Sequence, residues 1–155
     1  MRIGVISDSH GRVNKIEQAL LKMGNIDALL HAGDHGSGFQ EIEFPIPLYI
    51  VLGNSDTDIG VPEDLIVELG GKNIFLTHGH KYNVDSRLIK LERQAEIAHA
   101  KIVVFGHTHL PLNEIRNDIL FLNPGSVSRP RGGSKASYAV ISINEGEIDA
   151  EIFNL

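Results

Sequence analysis

The 155-residue chain predicts an α/β fold in which two packed β-sheets carry helices on their outer faces. Three observations carry that expectation. Short apolar runs alternate with polar, Gly-rich turns along the length. The first half interleaves strand-like runs with a segment of helical period, which predicts parallel strands and right-handed crossovers. After Gly106 no helical period recurs, and the turn signals are those of antiparallel strands. Two mixed sheets satisfy both halves.

The elements follow in order. Arg2–Ser7 reads as a buried first strand. Val13, Ile16, Leu20 and Met23 recur at helical spacing, so Val13–Met23 is an amphipathic helix stopped by Gly24. Ala28–His31 is the second strand, and Leu48–Leu52 the third, entered through Pro45-Ile46-Pro47. Leu65–Leu69 and Asn73–Thr77 form two strands about the Gly70-Gly71 turn. Leu88, Leu91, Ala95 and Ala98 mark a second helix, with Asp85 or Ser86 expected near its start as a cap. Ile102–Gly106 is a strand of β-branched and aromatic type. Asn113–Ile115, Ile119–Asn123, Tyr138–Ile143 and Ile148–Phe153 read as one antiparallel meander. Ser126–Ala136 is a long loop, and Phe39, Phe44 and Tyr49 are expected in the core.

Length and composition fit one domain over residues 1–155. A chain of this size buries roughly two thirds of its unfolded surface and needs no staples. The net charge of −6 argues against polymeric nucleic acid and anionic membranes as partners. With no cysteine, disulfides and thiolate metal sites are excluded. No run approaches membrane-spanning length, and the N-terminal apolar run is too short for a signal peptide, so a cytoplasmic location is expected. Against this ordinary background stand eight histidines.

Most of them sit where strands end. Five apolar strands run straight into metal-ligand residue types: Ser7-Asp8-Ser9-His10, Gly33-Asp34, Gly53-Asn54, Thr77-His78-Gly79-His80 and Gly106-His107-Thr108-His109. Ligands of open α/β sheets bind beyond the carboxyl ends of the strands, so these clusters are expected to converge on one sheet edge. Asp8 and His10, like His107 and His109, are two apart. In extended chain such a pair points the same way. Glycines at 33, 53, 79 and 106 allow tight turns and close approach. Carboxylate, imidazole and amide together suit Mn²⁺, Fe²⁺, Zn²⁺ or Co²⁺. Seven ligands exceed one ion and suit two sharing a bridge. His78 is favoured over His80 because it follows its strand directly, leaving His80 to orient a ligand. His31 reads as a hydrogen-bonded structural histidine, and His99 as a helix-terminal one. Arg129, Arg131 and Lys135 read as a solvated basic loop, with Arg129 the best candidate among them to grip a phosphate.

In this order the motifs resemble the calcineurin-like metallophosphoesterases, and within them the small prokaryotic phosphodiesterase branch related to Vps29. The resemblance spans essentially the whole chain, including Asn123-Pro124-Gly125-Ser126. It implies two facing mixed sheets flanked by helices. It implies that Asp8, His10 and His109 hold one metal, that Asn54, His78 and His107 hold a second, and that Asp34 bridges them. Asp34, Asn54 and His78 are then the expected catalytic residues. The implied cofactor is a pair of divalent ions, Mn²⁺ first, with Ni²⁺, Fe²⁺, Zn²⁺ and Co²⁺ as alternatives. The implied reaction is hydrolysis of a small phosphodiester by a hydroxide between two ions about 3.5–4 Å apart. Homo-oligomers, dimers or tetramers, are also implied.

The chain departs from that pattern once. Many members carry histidine after the Gly-Asn motif, where it is thought to protonate the leaving group. Here Ser55 stands in its place, in Gly53-Asn54-Ser55-Asp56. Substrates with good leaving groups are then expected to react best, with His35 as a substitute donor. Specificity is expected in loops 36–43 and 55–61. The alternative function is an inactive Vps29-like scaffold that binds a protein partner. A nuclease of polymeric substrates is disfavoured by the acidic charge.

Overall fold

The computed structural model describes residues 1–36, 44–57 and 60–155. Phe39, with residues 37–43 of the first candidate specificity loop and 58–59 of the second, lies outside them. The elements are β1 (Arg2–Ile6), α1 (Val13–Met23), β2 (Ala28–His31), β3 (Leu48–Ile50), β4 (Asp64–Leu69), β5 (Lys72–Thr77), α2 (Ile89–Ile97), β6 (Ile102–Val104), β7 (Pro111–Arg116), β8 (Ile119–Pro124), β9 (Ser137–Asn144) and β10 (Glu147–Asn154). A short 3₁₀ turn covers His80–Tyr82.

Two five-stranded sheets result, in the orders β10-β9-β1-β2-β3 and β4-β5-β6-β8-β7. In the first, β1, β2 and β3 are parallel and β9 and β10 antiparallel. In the second, β5, β6 and β8 are parallel, with β4 and β7 antiparallel at the edges. The expected α/β sandwich is therefore present, with one correction. The C-terminal strands do not form a single meander. β7–β8 is a hairpin of the second sheet, and β9–β10 is a hairpin that returns to the first, pairing β9 with β1.

The period of two along each strand sorts side chains between layers. Ile3 and Val5 of β1, Ile74 and Leu76 of β5, and Ile102 and Val104 of β6 share the core between the sheets. Their neighbours face outward. Ile6, Leu29 and Val140 pack with Ile16, Ala19 and Met23 of α1. Phe75, Val103 and Phe121 pack with Leu91 and Ala95 of α2. Neither helix has a side-chain cap. A cap contributes ~1 kcal/mol, whereas each fully buried apolar side chain contributes roughly 1.5–3. Packing, not capping, holds both helices. Asp85 and Ser86 thus do not cap α2, which starts after Leu88. Phe44 and Tyr49 are half-buried against core clusters, as expected.

Candidate metal centre

The ligand-type clusters follow the carboxyl ends of β1, β2 and β3 in one sheet and β5 and β6 in the other. They lie at the seam between two sheets rather than on one edge. Backbone hydrogen bonds stitch the loops together: Asp8 N–H to Gly33 O at 3.0 Å, His10 N–H to Asp34 O at 2.8 Å, and Gly106 N–H to His78 O at 3.1 Å. Close approach at Gly53 is obligatory. A Cβ there would lie 2.3 Å from Asp34 N and 2.0 Å from its carboxylate.

The two-residue spacings do not act through the extended chain expected from the sequence. Asp8, His10, Asp34, His107 and His109 all have positive φ, between 47° and 68°. Each of these five is presented from a left-handed turn, a conformation that Asp and His tolerate better than most residues. Five such residues in one place mark strain of the kind concentrated at functional sites.

All seven predicted ligands come together. One ligand atom each from Asp8, His10, Asp34 and His109 lies within 4.8 Å of the others. His109 Nε2 is 3.1 Å from Asp8 Oδ1. His10 Nε2 is 3.5 Å from His109 Nε2 and 3.8 Å from Asp34 Oδ2. On the other side of Asp34, its Oδ1 lies 3.6 Å from His78 Nε2. Asn54 Oδ1 is 3.2 Å from His78 Nε2 and 3.0 Å from His107 Nδ1. Asp34 therefore turns one oxygen to each group.

Proton placement gives this cluster its meaning. His78 Nδ1 donates to Ala32 O at 2.7 Å, leaving Nε2 as a bare lone pair facing Asn54 and Asp34. His109 Nδ1 donates to Arg129 O at 2.5 Å, which turns its Nε2 toward Asp8 Oδ1. His107 Nε2 lies 2.8 Å from Asp85 Oδ2, so that nitrogen carries the proton and Nδ1 faces Asn54 Oδ1. Asp8 Oδ1 is buried and has no hydrogen-bond donor among the described residues. Lone pairs thus converge on lone pairs, which is unfavourable unless a cation or proton lies between them. Divalent ions fit the donor set.

The ionisation of these groups reflects the same crowding. Burial works to lower His109, but the Asp8 carboxylate and the Arg129 carbonyl outweigh it and hold the imidazole above its ordinary 6.5. A proton there occupies the place a cation would take. His10 is pushed down by burial, against the pull of Asp34 and Asp8, with Arg129 adding to the fall. Burial works to raise Asp34, yet hydrogen bonding from Ser55, with His78 nearby, leaves its carboxyl below the usual range.

A supporting shell fixes the ligands, and part of it was not legible beforehand. Ser7 Oγ donates to Asp8 Oδ2 at 2.6 Å. Ser126 and Ser128 hydroxyls both donate to Asp8 O at 2.8 Å. Fully buried Asn123 donates to Gly106 O and Thr108 Oγ1, and accepts from Gly125 N–H. This places the Asn123–Ser126 segment beneath the His107 and His109 loop. Asp56 accepts the N–H groups of Gly53, Gly36 and His35 and so ties two ligand loops together. Its signal was its place in the Gly-Asn-Ser-Asp motif. Asp85 was visible only as a helix cap, because its partner is 22 residues away.

The remaining histidines separate cleanly. His31 is fully buried, with Ser9 Oγ 2.8 Å from its Nε2, as expected of a structural residue. His80 makes no hydrogen bond to a ligand among the described residues; it packs against the rings of His78 and His107 at 5.5 and 6.1 Å. His35 is buried with its Nε2 3.5 Å from Asp56 Oδ2, and it is not among the described residues that line the cleft. His99 follows α2 at φ 49°.

Above the cluster opens a cleft of ≈ 410 Å³ lined by His10, Asp34, Asn54, Ser55, His107, His109, Arg129, Pro130 and Arg131. Arg129 and Arg131 thus belong to the cleft wall, where a merely solvated basic loop was expected. Lys135 does not line it.

This architecture is that of the metallophosphoesterases. A family model for the calcineurin-like phosphoesterase superfamily domain matches residues 1–146, and the chain belongs to that family. A crystal structure of a predicted phosphoesterase from Streptococcus pneumoniae TIGR4 superposes with TM-score 0.84 at 35% identity, covering 99% of this chain and 88% of that one. Phosphodiesterase YfcE of Escherichia coli K12 is 38% identical over 94 residues, 56% of this chain and 47% of its own length. Vps29 of Entamoeba histolytica, in a structure complexed with Zn²⁺, shares the fold at TM-score 0.80 and 23% identity, covering 99% and 98% of the two chains.

Proposed function

We propose that the protein is a dinuclear metal-dependent phosphodiesterase. Asp8, His10 and His109 hold one ion, Asn54, His78 and His107 hold the other, and Asp34 bridges them. One observation carries this reading: His78, His107 and His109 each spend one ring nitrogen on an acceptor outside the cluster and turn the other inward, toward Asn54, Asp34 and Asp8. Such carboxylate- or carbonyl-backed histidines are the usual form of metal-bound imidazole. When bound, two divalent ions, Mn²⁺ in the first instance, would supply an acidified water and take up charge on the phosphoryl oxygens.

The chain's own groups do the rest. Asn54 offers a neutral oxygen, which limits the negative charge of a cleft that must admit an anion. Ser55 N–H donates to Asp34 Oδ1 at 3.0 Å and fixes the bridging carboxylate. The Ser55 hydroxyl does not titrate near neutral pH, so the leaving group departs with little help from a general acid. Good leaving groups are therefore preferred. The YfcE relative, named a phosphodiesterase, supports the diester over the monoester.

The test is direct. Protein stripped with a chelator and reloaded with Mn²⁺ should hydrolyse an aryl phosphodiester faster than an aryl phosphomonoester. Asp34→Asn and Asn54→Ala should each lose at least about 100-fold in kcat/KM, the scale of removing one transition-state contact. Absence of turnover with Mn²⁺, Ni²⁺, Fe²⁺, Zn²⁺ and Co²⁺ alike would favour the scaffold reading instead.

A further inference from the structure

Cleavage of a phosphate ester leaves negative charge on the departing oxygen. An alkoxide needs a proton as it leaves; a phosphate does not. Among the described residues lining the cleft, each imidazole turns a ring nitrogen to the candidate ligand set. His107 faces Asn54 through one ring nitrogen and Asp85 through the other. His109 faces Arg129 O and Asp8. His10 directs its Nε2 at Asp34 and His109. The residue after Asn54 is a serine.

The wall offers something else in that place: Arg129 and Arg131. Their backbone is anchored to the candidate centre. Arg129 N–H donates to Ser126 Oγ at 2.8 Å, and its carbonyl accepts from His109 Nδ1. Arg131 N–H donates to His109 O at 3.4 Å. A guanidinium is always charged and cannot deliver a proton, but its fork matches the oxygens of a phosphate. A wall that neutralises charge without protonating it suits a leaving group that is already a stable oxyanion with several oxygens. An aryl leaving group offers one oxygen and an apolar ring, for which the described wall provides little beyond Pro130.

We propose that the preferred substrates are phosphoric anhydrides, cleaved with Arg129 and Arg131 gripping the departing phosphate. The inference rests on the phosphoesterase reading above and extends that site from esters to the P–O–P bond. In the step, the oxygen of water bonds to phosphorus and the bridging P–O bond breaks. The bonding electron pair leaves on the departing phosphate oxygen. The protons of the water pass to solvent and to the two phosphate products, so charge and atoms balance without an acid at the leaving oxygen.

The experiment compares adenosine diphosphate and inorganic tripolyphosphate with bis(p-nitrophenyl) phosphate, using the full chain loaded with Mn²⁺. The anhydrides should be cleaved. Arg129→Ala/Arg131→Ala should lose at least about thirtyfold more kcat/KM on the diphosphate than on the aryl diester, the scale of a lost charge-assisted contact. Calorimetry should show imidodiphosphate binding weakened in the same variant. Arg129→Lys/Arg131→Lys, which keeps the charge but not the fork, should fall between. Lys135→Ala, outside the cleft, should match the wild type on both substrates. Turnover of the aryl diester without either anhydride, or equal losses on both in the arginine variants, would overturn this inference and leave the phosphodiesterase reading standing. Failure on every substrate would overturn both.

Discussion

At the scale of single residues, residue type told which side chains would gather, and not how the backbone presents them. The residue types at the strand ends were sufficient to collect Asp8, His10, Asp34, Asn54, His78, His107 and His109. The left-handed turns at Asp8, His10, Asp34, His107 and His109 were not foreseen, because φ depends on the loop's hydrogen bonds to other loops. Asp85 shows the same limit. Its contact with His107 Nε2 is long-range, whereas a helix-cap reading is local. Asp85→Ala should weaken Mn²⁺ binding by about 10–100-fold, the usual effect of removing a carboxylate behind a metal-bound histidine. Calorimetric titration checks it; unchanged affinity would mean that Asp85 is only a surface charge.

His31 carries a second residue-scale prediction. Burial, with His35 and His78 nearby, pushes its imidazole well below 6.5. The folded state therefore resists a proton that the unfolded chain accepts below pH 6.5. The stability this ring contributes is whole above that value and is lost as pH falls toward the folded value. Metal-free wild-type protein should lose up to about 1.4 kcal/mol more per pH unit than His31→Gln over that window. Denaturant unfolding at pH 7.5, 6.0 and 5.0 measures the difference; parallel curves would contradict the assignment.

At the scale of elements, the strands and helices could be read because their periods are local. α1 was bounded correctly at both ends, and most strands within a residue or two. What could not be read was which sheet each C-terminal hairpin joins. Nothing in the hairpins themselves specifies that β9 pairs with β1, a partner more than a hundred residues earlier. The end of α2 shows how a local rule can be bent. Ala100 N–H bonds to Ala95 O and His99 N–H to Glu96 O, a Schellman closure with His99 where glycine is usual. His99→Gly should relieve the left-handed strain and stabilise by roughly 0.5–1 kcal/mol, after allowing for glycine's freer unfolded chain. Urea unfolding checks it, and destabilisation would show that the imidazole contributes more than its backbone costs.

At the scale of the whole molecule, the candidate centre joins the two sheets. The first group takes Asp8 and His10 from the loop after β1, in one sheet, and His109 from the loop after β6, in the other. The second takes Asn54 from the loop after β3, and His78 and His107 from the loops after β5 and β6. Metal binding should therefore clamp the sheets together. At a free Mn²⁺ concentration about 100 times Kd, one site adds roughly 2.7 kcal/mol. For a domain of this size that raises Tm by roughly 5–10 °C, reversed by chelator. A Tm indifferent to Mn²⁺ would mean that no ion bridges the seam.

The most direct test is a crystal grown in Mn²⁺ and measured at the manganese absorption edge. Two anomalous peaks per chain are expected, one touching Asp8, His10 and His109 and one touching Asn54, His78 and His107, with Asp34 reaching both. A single peak, or none among these side chains, would contradict the account.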